Sequence, residues 1–101
     1  QGIGELAEIE GNKIVFLRNV NKDETVFCGS LEGFSASSKD YDFRIENKTT
    51  GAGVKITCDQ PLLKLAFWCC STTLCPEPYI KVIVDPGKEF RWKINYEFYT
   101  L

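Results

Sequence analysis

The chain has 101 residues, 44% of them apolar and 26% charged, with a formal net charge of −2. That length holds one core of ordinary size, and the composition excludes a disordered chain. The acidic balance argues against a nucleic-acid partner, which would need a basic face, and no apolar run approaches a membrane span, so no membrane partner is expected.

Glu10-Gly11-Asn12 is a turn signal, and Lys13 to Leu17 after it reads as a short strand. Thr25 to Cys28 reads as another. Leu31 to Lys39, rich in Ser and Gly, reads as a surface loop. Tyr41 to Glu46 alternates apolar and polar residues, as does Val54 to Cys58, and Asn47 to Gly53 is the hairpin loop between them. Leu63 to Cys70 is more uniformly apolar, as expected of a strand covered on both faces.

Tyr79 to Val84 is expected to pair with the last strand across the turn Asp85-Pro86-Gly87-Lys88. Residues 89–99 carry the strongest pattern. Phe90, Trp92, Ile94, Tyr96 and Phe98 share one face; Arg91, Lys93, Asn95 and Glu97 share the other. The first set is expected to be the buried row of a long antiparallel strand, with Trp92 and Phe98 in the core. Together these segments predict an all-β fold, an antiparallel β-sandwich of about seven or eight short strands, as a single domain over residues 1–101.

The chain contains no histidine and no methionine. No Ser-His-Asp triad and no Cys-His pair can form within it, so proton transfer falls to carboxylates, Lys, Tyr or Cys. Five cysteines, Cys28, Cys58, Cys69, Cys70 and Cys75, leave at least one thiol unpaired. They contain no CxxC pair, and no metal site is expected from them. Small buried thiols in a reducing compartment are one reading, and one or two disulfides the other. Asp40, Asp42 and Asp59 lack calcium-loop spacing and read as solvated or turn residues. The odd thiol count leans towards a cytoplasmic compartment. The sequon Asn47-Lys48-Thr49 and a chain that opens on Gln1 lean towards a secreted or processed one.

Two segments suggest chemistry. In Cys75-Pro76-Glu77-Pro78-Tyr79, prolines on both sides hold Glu77 extended and present its carboxylate rigidly, as a general base or hydroxyl acceptor needs. The plainer alternative is a stiffened strand end with a solvated Glu. Phe67-Trp68 lies close to Asp59-Gln60-Pro61. An indole beside carboxylate and amide groups is the composition of a sugar site, the ring stacking on pyranose C–H groups. A simply buried Trp68 is the alternative.

Val54 to Tyr99 resembles the C-terminal part of the aldose 1-epimerases, the galactose mutarotase-like sandwich family. Gly53 to Leu65 is similar to that family's strand–"D-x-P"–strand hairpin. Cys75-Pro76-Glu77-Pro78 is placed like its catalytic glutamate. Asp85-Pro86-Gly87-Lys88-Glu89-Phe90 with Tyr96-Glu97-Phe98 resembles its closing hairpin. The resemblance implies Glu77 as the base at the anomeric hydroxyl. Trp68, Asp59, Lys64 and Tyr79 are the residues expected to bind sugar beside it, while the family's own further sugar-binding residues lie in upstream strands. The resemblance implies a histidine acid too, and this chain has none. A full family member is also a much larger sandwich.

The function expected from this is a carbohydrate-binding β-sandwich related to the aldose 1-epimerases and lacking their full catalytic machinery. One alternative is an aldose 1-epimerase-type isomerase of carbohydrate metabolism, or a fragment of one, with Glu77 as general base. The other is a non-catalytic immunoglobulin-like interaction domain. The expected partner is a mono- or oligosaccharide, with no cofactor. A homodimer, or association with a missing N-terminal part, is expected to cover apolar faces that so short a chain leaves bare.

Overall fold

The computed structural model describes residues 3–101. It is all-β and antiparallel, as the alternation predicts. Eight strands form in chain order: β1 (Ala7–Glu10), β2 (Lys13–Phe16), β3 (Val26–Cys28), β4 (Asp42–Asn47), β5 (Ala52–Cys58), β6 (Lys64–Cys69), β7 (Leu74–Tyr79) and β8 (Ile94–Thr100). A 3-10 turn at Ser38–Asp40 interrupts the Ser-rich loop, and the Ser37 hydroxyl caps it by accepting from the Lys39 amide. The strands pair as three antiparallel sheets, β1-β2, β3-β6-β7 and β4-β5-β8.

The chain divides into two compact units, one holding the residues up to Gly33 with Lys64–Tyr79, the other Phe34–Leu63 with Ile80–Leu101. In the first unit, β1 and β2 meet across a two-residue turn in which Gly11 takes φ +62°. Leu6, Val26, Phe67 and Cys69 form the core, each at most 5% exposed, with Ile3, Phe16, Val20, Cys28 and Leu31 packed against it. Period-two geometry explains the set. Val26 and Cys28 on β3 and Phe67 and Cys69 on β6 lie on one face, because Val26 pairs with Cys69 and Cys28 with Phe67.

In the second unit, β4 and β5 form the predicted hairpin. Asn47 closes its loop: its carbonyl accepts from the Gly51 amide, and its Oδ1 accepts from Thr49 N at 3.0 Å. Gly51 takes φ +73°, the left-handed conformation that glycine permits. Tyr41 and Leu62 are the buried side chains of this unit, at 2% and 6% exposure. Tyr41 stacks on Phe43, with centroids 5.6 Å apart.

Burial pushes the Tyr41 phenol up to about 12, with the Cys58 thiol and Tyr96 phenol adding to it. A raised folded value means the native state holds this proton after the unfolded chain has lost it. Stability that is complete below the unfolded value of about 10 is therefore lost as pH rises towards 12. Thermal unfolding should show that decline, and Tyr41→Phe should shallow it. Identical alkaline slopes for the two proteins would refute the assignment.

The C-terminal expectations need correction. The strand begins at Ile94, not Glu89. It pairs β5 from Ala52↔Thr100 to Cys58↔Ile94, and the ladder closes with Asp59, whose amide donates to the Lys93 carbonyl. Pro61 follows and has no donor to offer, so residues 89–92 have no strand beside them. Phe90 and Trp92 instead pack on each other at 5.8 Å, and Trp92 is 49% exposed.

The predicted buried row is not buried: Phe90 and Ile94 are half-buried, Tyr96 and Phe98 exposed. Arg91, Lys93 and Glu97 are exposed as well. Alternation marks which face is apolar, but it does not supply a cover. Asp85-Pro86-Gly87-Lys88 does turn, with the Lys88 amide donating to the Asp85 carbonyl at 3.0 Å and Gly87 at φ +78°. It joins no hairpin. Residues 80–84 are irregular and largely exposed, because the strand expected there lies earlier, at Leu74–Tyr79, and pairs β6.

Candidate functional site

Four of the five expected site residues share one face of the β3-β6-β7 sheet. β6 is central, so its residues alternate between the core face and the opposite one. Phe67 and Cys69 face the core; Lys64, Ala66 and Trp68 therefore point the other way. Across β7, Trp68 pairs with Cys75, Ala66 with Glu77 and Lys64 with Tyr79, which brings Glu77 and Tyr79 to the same face. The prolines of β7 explain how a strand forms there. Pro76 and Pro78 are two residues apart on an edge strand, where a missing donor is tolerated, and Cys75, Glu77 and Tyr79 lie on the alternate positions.

The face has a simple relief. Phe27 on β3, 55% exposed, stands directly across from Trp68 and adds a second ring at that end. Ala66, in the middle, is buried at 1% exposure beside the half-buried Glu77. At the far end the Lys64 ammonium sits 5.3 Å from the centre of the Tyr79 ring, a cation–π contact. Tyr79 remains 46% exposed.

Sequence reasoning missed Phe27. The signal was there: Val26 and Cys28 are core-facing neighbours in a strand, so the residue between them must face outwards.

Asp59 belongs to the other unit, where its Oδ1 accepts from the Lys93 amide at 3.1 Å and fastens the end of the β5-β8 ladder. Its role there is structural. An open hollow of about 370 Å³ in that unit is lined by Ser38, Lys39, Tyr41, Asp42, Thr57 and Cys58, and holds none of the expected site residues.

All five thiols are free. Burial pushes the Cys69 thiol up, while the Thr72 hydroxyl, 3.5 Å from the Cys70 sulfur, holds that thiol down. Among the described residues, no three Cys, Asp or Glu side chains are grouped to hold a metal ion.

Comparison with protein-family models, with curated proteins and with solved structures gave no match.

Proposed function

We propose that this chain binds carbohydrate on the outward face of the β3-β6-β7 sheet. One observation carries the reading: Trp68, Glu77, Lys64 and Tyr79 converge on a single face through strand register alone. Aromatic rings offer C–H stacking. Glu77 accepts hydroxyl hydrogens, and Lys64 donates to hydroxyl oxygens. The resemblance of the second half of the chain to the aldose 1-epimerases supports the same ligand class. Glu77 is then the residue that would hold the anomeric hydroxyl.

A base alone is half of an epimerase mechanism. Opening the pyranose ring needs a proton delivered to the ring oxygen as one leaves the anomeric hydroxyl, and the chain has no histidine to match the family's acid. Loss of one proton-transfer partner removes roughly 10²–10⁴-fold in rate. Binding does not depend on that partner. The expected behaviour is therefore weak sugar binding with little or no acceleration of anomer exchange. In NMR titrations with glucose or galactose, wild-type amides around β6 and β7 should shift and Glu77→Gln should not respond. Polarimetry on freshly dissolved sugar should show the uncatalysed rate with both proteins. Fast mutarotation would replace this reading with the isomerase.

The bare face of the β4-β5-β8 sheet favours association with a second copy. It carries Phe43, Ile45, Val54, Ile56, Tyr96 and Phe98, the last two 57% and 80% exposed. Three strands of up to seven residues make a face of about 23 by 14 Å, well short of the ~800 Å² per partner of a stable dimer. Association should accordingly be weak and concentration-dependent in sedimentation, and weaker still in Phe98→Lys. A single sedimenting species at every concentration would exclude it.

A further inference from the structure

We infer that the sugar-binding face takes a linear oligosaccharide of at least two pyranose rings laid along β6. The inference rests on the carbohydrate reading above and adds the length of the ligand. Two aromatic platforms stand at opposite ends of the face. Phe27 and Trp68 are opposite one another across β3 and β6, and Tyr79 is opposite Lys64 across β6 and β7. Trp68 and Lys64 are four residues apart on one strand, which is about 13 Å. One pyranose stacked on the indole cannot also touch the phenol ring; two linked pyranoses can.

Between the platforms Ala66 is buried, and the polar group at hand is its cross-strand partner Glu77, half-buried beside it. A first ring over Trp68 and Phe27 would turn its hydroxyls towards the Glu77 carboxylate. A second would lie against Tyr79, with the Lys64 ammonium 5.3 Å from that ring's centre and able to donate to ring or linkage oxygens. One cation and one carboxylate leave the face without net charge, which suits a neutral glycan over a uronate or an amino sugar. A sheet face with rings at both ends suits an extended, β-1,4-linked chain.

The test is an NMR titration of the full chain with glucose, cellobiose and cellotriose, repeated on Trp68→Ala and Tyr79→Ala. Cellobiose should bind about tenfold more tightly than glucose, the worth of one added aromatic contact. It should shift both the Trp68 indole N–H and the Lys64 amide. Tyr79→Ala should bring the cellobiose affinity down towards that of glucose. Tyr79 is 46% exposed, so this variant keeps its fold, and an unchanged amide spectrum verifies that. Equal affinities for glucose and cellobiose, or a Tyr79→Ala protein that binds cellobiose as wild type does, overturn the oligosaccharide inference and leave sugar binding standing. No shift with any of the three sugars overturns both.

Discussion

Phe67→Ala should cost about 3–5 kcal/mol, the range for deleting a large buried ring and leaving a cavity behind it. That is a large share of the 5–15 kcal/mol typical of a whole domain. Phe67 is 5% exposed and lies at the centre of the first unit's core, beside Leu6, Val26 and Cys69, with the Phe16 ring 6.3 Å away. It is held in the middle strand of its sheet, with β3 on one side and β7 on the other, so the backbone has little freedom to close the gap. Urea unfolding followed by circular dichroism measures the loss. Phe98→Ala is the matched control. The same ring is removed, but from a site 80% exposed, and its effect should stay within about 0.5 kcal/mol. Similar losses at the two positions would mean that the core has been placed in the wrong unit.

That contrast separates what the sequence makes legible from what it does not. Strand existence and facing were readable wherever a local pattern has one physical solution. The uniform run Leu63 to Cys70 had to be a strand, and β6 is the centre of its sheet, but it is not covered on both faces as expected: Lys64 is exposed and Trp68 half-buried. The loop Asn47 to Gly53 had to turn, because Asn47 and Gly51 supply a side-chain acceptor and a positive φ. What covers an apolar face is decided by distant parts of the chain. Residues 89–99 show the cleanest alternation, yet Tyr96 and Phe98 are bare and Trp92 lies outside the ladder.

Proline hid β7. Pro76 and Pro78 read as a rigid mount for Glu77 or a stiffened strand end, and only a place at a sheet edge, which no local pattern reveals, makes them compatible with pairing along a whole strand. The candidate site follows the same division. Trp68 and Lys64 share a face by their spacing on one strand, but that Glu77 and Tyr79 join them depends on the register of β7 against β6, which no local pattern reveals. Nearness of Asp59 in sequence to Phe67-Trp68 likewise says nothing about which sheet it joins, and it closes the β5-β8 ladder.

Gly53→Ala should destabilise the second unit by about 1–3 kcal/mol, the cost of forcing extra volume into a filled space. The cause is not backbone conformation, because Gly53 is absent from the glycines with positive φ. It is the ring of Tyr99, which lies across β5 at this position. Gly53 pairs with Tyr99 on one side and Glu46 on the other, and the Tyr99 hydroxyl donates to Glu46 Oε2 at 2.7 Å. A methyl at Gly53 would stand 2.5 Å from Tyr99 Cε2 and 2.6 Å from Cζ. Alanine therefore displaces the ring and breaks its reach from the third strand to the first. For a domain near 100 residues, each kcal/mol lowers Tm by about 4–8 °C.

A double-mutant cycle gives the decisive reading, since the two side chains share one space. In a Tyr99→Ala background the obstruction is gone. The remaining difference is the conformational entropy of glycine, which makes it the poorer strand residue by roughly 0.5–1 kcal/mol. Gly53→Ala should then change sign and become neutral or stabilising. A loss of the same size in both backgrounds would place the conflict somewhere other than the Tyr99 ring.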